Sequence, residues 1–144
     1  MFFDARQSTR FISQIHEFWY RISNGIIGGN VFGAHVLLLT TTGRKSGKRY
    51  TTPLLYLADG DDFVVIASNG GADRDPDWWR NLKAESETTV QVGGRHRDVR
   101  AEAATGDERE RLWTKITSRY PVYGGYERRT KREIPVVVLR PVTA

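Results

Sequence analysis

Short strand-forming runs separated by tight turns fill the chain beyond residue 35, and they limit the fold more than any other feature. The runs are His35–Thr41, Tyr50–Ala58, Phe63–Ser68, Thr88–Val92, Arg95–Ala103 and Ile134–Leu139. Each is rich in β-branched, aromatic or aliphatic residues, and several are joined by turn sequences such as Asp59-Gly60-Asp61 and Gly93-Gly94. Strands joined this closely pair as hairpins, because a parallel pair needs a crossover of a dozen or more residues. The expectation is a mainly β (α+β) domain of about six mostly antiparallel strands, closing on itself as a small barrel with peripheral helices.

Three helices complete the reading. Phe11, Ile15, Phe18, Trp19 and Ile22 recur at spacings of three and four between Arg10 and Asn24, which predicts an amphipathic helix, followed by a connection rich in glycine. Asp75-Pro76-Asp77 places a capping acid before a proline, so a short helix is expected over 76–84. Thr105-Gly106-Asp107-Glu108 matches a capping box and opens a helix to about Ser118. At 144 residues the chain fits one domain: residues 1–30 as helix and connection, and 35–142 as the barrel.

Composition narrows the chemistry. With 22 Lys and Arg against 17 Asp and Glu, the net charge of +5 favours an acidic ligand, a nucleic acid or a membrane surface. The chain has no cysteine, which rules out thiol catalysis and disulfides. No apolar run reaches the roughly 18 residues of a spanning helix, and MFFDARQSTR lacks the order of a signal peptide, so a cytoplasmic location is expected. Arg6, Arg10 and Arg21 on the first helix also suit peripheral contact with a membrane. The histidines, His16, His35 and His96, have no metal-ligand spacing, so no metal site is expected, and no G-x-S-x-G elbow anchors a hydrolase triad. With so little reactive chemistry in the side chains, an enzyme of this sequence would rely on a bound organic cofactor.

Three segments fit that requirement. In TTTGRKSGKRYTTPL, Thr40 to Leu54, a turn dense in cations and glycine joins two strand runs. Positive φ at Gly43 and Gly47 would let backbone N–H groups converge on an anion, with Arg44, Lys45, Lys48 and Arg49 adding charge and Ser46 a donor. A solvated hairpin tip reads equally well. Ser68-Asn69-Gly70-Gly71 leaves bare backbone at a strand end, and Trp78, Asn81 and Leu82 share a face of the helix that follows. That face offers an aromatic wall and an amide; core packing is the expected role of Trp79 and an equal alternative for Trp78. Finally, Tyr120, Tyr123 and Tyr126 recur at spacing three around Gly124-Gly125, as on a mobile lid loop or an ordinary aromatic rim.

The ordered set TTTGRKSGKRYTTPL, SNGG, PDWWRNLKA and the spaced tyrosines ahead of IPVVVLRP resembles the deazaflavin-dependent nitroreductase family of actinobacteria. The resemblance runs from about Val36 to Val142 and implies a split β-barrel that binds coenzyme F420. This 5-deazaflavin carries a phosphate and a polyglutamate tail. On matching positions it implies that Arg44, Lys45 and Ser46 hold phosphate and tail, and that Thr52, Pro53 and Leu54 line the deazaflavin with strand backbone. Ser68, Asn69 and Gly70 would contact the ring, Trp78 and Asn81 would form its wall, and Tyr120, Tyr123 and Tyr126 would face the substrate. Tyr123, central in the series, is the expected proton donor. Two positions depart from the family pattern. Arg49-Tyr50 stands where Pro-Arg is usual, and a one-residue shift can turn a side chain to the other face of a strand. Asn69 stands where Lys is frequent.

The function this implies is hydride transfer from reduced F420 to a small-molecule acceptor such as an enone, a quinone or a nitroaromatic. An FMN-binding barrel is the nearest rival, and a non-enzymatic polyanion- or nucleic-acid-binding barrel is the rival from another class. The oligomeric state is open, a homodimer included.

Overall fold

A computed structural model of the chain describes residues 35–142. The helix expected over Arg10–Asn24 and the connection after it lie outside the described residues. The strands are β1 (Val36–Thr42), β2 (Arg49–Leu55), β3 (Leu57–Asp59), β4 (Asp62–Ile66), β5 (Glu87–Val92), β6 (Arg95–Ala103) and β7 (Val136–Pro141). Three helices, α1 (Asp77–Ala84), α2 (Gly106–Arg119) and α3 (Val122–Arg129), and a 3-10 turn at Asn69–Gly71 complete the described part. The strands form one sheet in the order β2-β1-β5-β6-β7-β4-β3, and every pair in it is antiparallel.

Seven strands form where six were expected, because the run Tyr50–Ala58 breaks at Tyr56. The half before the break pairs with β1 and the half after it pairs with β4. These halves are the two opposite edges of the sheet. Leu55 and Leu57 are two residues apart, so the edges approach within roughly 7 Å there, and the sheet must curl into a barrel split between β2 and β3.

The junction is held by hydrogen bonds. The Tyr56 N–H donates to the His35 carbonyl at 2.9 Å. The buried Tyr120 hydroxyl donates to the Tyr56 carbonyl at 3.1 Å and accepts the His35 N–H at 3.1 Å. The Tyr56 ring packs edge-on against His35 and Phe63. Burial, with Tyr120 beside it, pushes the Tyr56 phenol pKa up, so it stays neutral.

Inside the barrel, alternate residues of the strands meet α1. Leu37, Leu39, Val65, Val90, Val99, Val137 and Leu139 form one cluster with Trp78, Trp79 and Leu82. The expected core role of Trp79 is met. The intervening residues of β7, Val136 and Val138, are equally buried, and the helix packed on that strand is α2, whose Leu112 and Ile116 are fully buried. Burial of each such aliphatic side chain contributes about 1.5–3 kcal/mol.

Helix boundaries follow the sequence closely, whereas the expected caps do not form. α1 starts after Pro76 without a side-chain cap; Asp75 instead pairs with Arg132 at 2.9 Å and Lys83 at 3.3 Å. α2 starts after Thr105, again without a side-chain cap, and Glu108 turns to Arg140. Both acids find a stronger, charged partner in the tertiary structure. Asp59 at the β3–β4 turn receives a two-pronged bond from Arg111 and a third contact from Lys115, which hold its carboxyl down at about 2 and tie α2 to this hairpin.

Tyr120→Phe keeps the ring and removes the hydroxyl that joins the two edges. The loss expected is about 1–3 kcal/mol of unfolding free energy, since the buried Tyr56 carbonyl and the part-buried His35 N–H both lose a partner. Chemical denaturation of the two proteins measures it.

Candidate functional site

The turn between β1 and β2 is closed by its own backbone. Gly43 N–H donates to the Lys48 carbonyl at 2.7 Å, and Gly47 N–H to the Gly43 carbonyl at 2.8 Å. Gly47 takes the expected positive φ of 72°, but Gly43 does not. Glycine is needed at 43 for space: a Cβ there would lie 2.6 Å from Ser46 Oγ and 2.8 Å from a ring carbon of Tyr50. The Lys48 N–H reaches Ser46 Oγ, and the Arg44 N–H reaches Asn81 Oδ1. Four amides of the turn are therefore committed within the protein, which corrects the expected backbone nest and leaves anion recognition largely to side chains.

Asn81 bolts this turn to α1. Its Oδ1 accepts both the Arg44 N–H at 3.2 Å and the Arg44 guanidinium at 2.9 Å, while its Nδ2 donates to Thr41 Oγ1 at 3.3 Å. It is 5% exposed, so these bonds are shielded from water. Asp77 adds a contact at 3.5 Å to the far nitrogen of Arg44 and one at 3.9 Å to Arg80. The Arg44 guanidinium is thus fixed before any ligand arrives.

Between the turn and α1 lies a cavity of about 500 Å³, within the range of small-molecule sites. Of the residues expected to bind a cofactor, Arg44, Lys45, Ser46, Thr52, Trp78 and Asn81 line it. Strand alternation explains the selection along β2. Tyr50 and Thr52 face the cavity, and Leu54, two further on, packs against the core. On the opposite face Arg49 bonds Thr42 at 3.3 Å and Thr51 bonds Thr40 at 2.9 Å. The one-residue shift in the turn therefore brings a phenol into the cavity and takes the Arg49 charge away from it.

Pro53, Leu54, Ser68, Asn69 and Gly70 lie outside the cavity wall. The Asn69–Gly71 turn is gripped by Arg132, whose guanidinium reaches the carbonyls of Ala67, Ser68 and Ala72 and the Asp75 carboxylate at 2.9–3.1 Å. The Asn69 side chain is spent on the Arg74 carbonyl at 3.1 Å.

The tyrosines also lie outside the cavity wall, and Tyr123 and Tyr126 stand on a helix and not on a lid loop. Tyr120 precedes α3 and has its hydroxyl engaged at the barrel junction. Tyr123 is 7% exposed and packs edge-on between Tyr120 and Tyr126, at 6.2 and 6.0 Å. Burial, with both phenols beside it, pushes its pKa well up, so it is protonated at neutral pH. Its hydroxyl has no hydrogen-bond partner among the described residues. Helix α3 is seated on Gly71, where φ is 86° and a Cβ would meet Tyr126 backbone atoms at 3.3 Å. The tyrosine helix and the SNGG segment therefore form one packed unit.

Sequence reading overlooked Thr41, Tyr50, Arg74, Asp77 and Arg80 in the cavity wall and Arg132 at the Asn69–Gly71 turn. Asp77 and Arg80 form an i, i+3 pair that helical spacing makes legible. Arg74 and Arg132 sit in irregular segments, where no periodicity marks a side chain's direction.

Asn81→Ala removes the shared acceptor of Arg44. Retention of fold with a loss of about 1–3 kcal/mol in unfolding free energy is expected, along with a mobile Arg44 side chain, measured by denaturation and by relaxation of the guanidinium NMR signals.

Comparison with known proteins places this arrangement. Residues 12–141 match the profile of the F420H(2)-dependent quinone reductase family. An F420H(2)-dependent quinone reductase of Mycobacterium tuberculosis is 40% identical over 130 residues, which cover 88% of this chain and 87% of that protein. The solved structure of an F420-H2 dependent reductase is 37% identical with a TM-score of 0.67, covering 73% of this chain and 93% of that one. Another, described as a domain-swapped dimer, is 33% identical with a TM-score of 0.69, covering 90% and 98%. Sequence and fold agree over nearly the whole chain: it belongs to the F420H(2)-dependent quinone reductase family.

Proposed function

We propose that the chain is an F420H2-dependent reductase that delivers hydride to a quinone, with enones and nitroaromatics as further acceptors of the same electron demand. The observation that carries this reading is the cavity between the β1–β2 hairpin and α1, whose wall combines a fixed guanidinium and an unpaired lysine with the Trp78 indole and the Thr52 position of β2. A ligand that suits both is planar at one end and anionic at the other. The residues present fit F420 on that ground, and the named family relatives add support.

Arg44, Lys45 and Ser46 would hold the phosphate, with Asn81 keeping Arg44 in place. Trp78 would flank the ring. β2 is an edge strand, so its outward backbone groups are unpaired in the sheet and available to the polar rim of the ring, the role proposed for Thr52, Pro53 and Leu54. Pro53 offers only its carbonyl. Contacts of Ser68, Asn69 and Gly70 with the ring remain part of the proposal. When bound, the reduced deazaflavin supplies a hydride.

The tyrosines would serve the acceptor. Tyr123 keeps its proton at neutral pH and leaves its hydroxyl unbonded, so it is suited to donate a hydrogen bond to the oxygen on which negative charge develops. Tyr126, half-buried beside it, would face the acceptor too, while Tyr120 orients Tyr123 by packing against it. A homodimer belongs to this proposal, supported by the solved relative described as a domain-swapped dimer. No helix among the described residues is long and apolar enough to cross a membrane, and peripheral contact is proposed from Arg6, Arg10 and Arg21 in the sequence.

Fluorescence titration tests the cofactor. F420 should bind more tightly than FMN, and Arg44→Ala or Lys45→Ala should weaken F420 by about 1–3 kcal/mol each. Equal or tighter FMN binding overturns the choice of cofactor.

Tyr123→Phe should lower turnover of a quinone about ten-fold or more, with F420 affinity and unfolding free energy nearly unchanged. Wild-type turnover would pass the role to water or to Tyr126.

A further inference from the structure

Arg132 has no part in the reaction proposed above, yet all three nitrogens of its guanidinium are engaged. Nε donates to the Ala72 carbonyl at 2.9 Å, Nη2 to the carbonyls of Ala67 and Ser68 at 3.1 and 2.9 Å, and Nη1 to the Asp75 carboxylate at 2.9 Å. The side chain is 16% exposed, so water competes little for these bonds. The planar fork of an arginine serves all of these acceptors at once, whereas the donors of a lysine, on a single nitrogen, cannot span them.

Two further bonds join the same pair of segments. The Ala67 N–H donates to the Pro135 carbonyl at 3.0 Å, and Thr130 Oγ1 donates to the Asp73 carboxylate at 2.9 Å. Residues 67–75 are thereby laced to residues 130–135. Helix α3 ends at Arg129, just before the laced stretch, and rests on Gly71 within it, where a Cβ would lie 3.3 Å from Tyr126 backbone atoms and from the Arg129 Cβ. The need to satisfy carbonyls of an irregular segment accounts for three of the Arg132 bonds. It does not account for the bond to Asp75. That residue stands two before the start of α1, so the bond joins the seat of the tyrosine helix to the helix whose Trp78 and Asn81 line the cavity.

We propose that Arg132 is a positioning residue for hydride transfer, an inference that rests on the acceptor role given to Tyr123 above. It acts through residues 67–75, holding α3, with Tyr123 and Tyr126, in a set relation to α1. Hydride transfer needs donor, acceptor and the group that meets the developing charge in register, and a misplacement of about 1 Å can cost on the order of 100-fold in rate. One guanidinium bound to both the seat of α3 and the approach to α1 keeps that register.

The test uses Arg132→Lys, which keeps a cation for Asp75 and gives up the fork over the carbonyls. Quinone turnover should fall about ten-fold, while F420 affinity in a fluorescence titration changes less than about two-fold. Tyr123→Phe, expected to cost about ten-fold in the wild type, should cost less than about three-fold in the Arg132→Lys background, because the phenol has already left its place. Fluorine NMR of protein carrying 3-fluorotyrosine, with no ligand added, should show the Tyr123 and Tyr126 signals displaced in Arg132→Lys and the Tyr50 signal, at the cavity turn, unmoved. Thr130→Val removes the hydroxyl between Asp73 and the Arg132 N–H and should shift the same two signals by less, which serves if Arg132→Lys does not fold. Wild-type turnover in Arg132→Lys, an undiminished effect of Tyr123→Phe in that background, or unmoved Tyr123 and Tyr126 signals overturns the positioning role. Wild-type turnover in Tyr123→Phe alone overturns the role of Tyr123 instead, and the fluorine signals then decide whether Arg132 holds α3.

Discussion

The Tyr120 hydroxyl, shared between the Tyr56 carbonyl and the His35 N–H, holds the point on which the rest of the described structure depends. At Tyr56 one continuous stretch of chain leaves the first edge of the sheet and becomes the last. That single break turns a meander into a split barrel. It also gives the barrel an interior for α1 to fill with Trp78, Trp79 and Leu82, which places Asn81, on the same helix, beneath the β1–β2 turn.

Anion recognition here follows a division of labour that the turn sequence does not reveal. Most amides that could have formed a nest are spent on closing the turn and on Asn81, so the cavity draws its positive charge from guanidinium and ammonium groups. Some of these are immobilised and some are free. A fixed cation loses little entropy when a rigid group binds, whereas a free one can follow a flexible ligand.

Three phenols at equal spacing meet three different surroundings. One is consumed by the backbone at the barrel junction, one is buried with its hydroxyl unbonded, and one lies half-exposed against Arg129. The helix that carries the last two is seated on Gly71, so their positions are inherited from the SNGG turn, which Arg132 in turn grips. Their chemistry therefore depends on residues far from them in the chain.

Local chemistry was legible in the sequence. The strand runs, the limits of α1 and α2 and the basic turn rest on propensity, periodicity and composition, which act over a few residues, and the family was legible only as a resemblance of the ordered motifs. Tertiary structure decided what those rules do not reach. It broke one strand run into two edges, because the pairing partners β1 and β4 lie on opposite sides of the barrel. It made a helix of the expected tyrosine loop, since that segment packs on Gly71 despite its paired glycines. It turned Arg49 away and Tyr50 inward by strand alternation, took Asp75 and Glu108 from their expected caps, and drew Arg132 onto carbonyls some 60 residues distant. Each of these outcomes depends on which groups meet across the barrel, and a side chain is committed only when burial removes the water that would otherwise satisfy it.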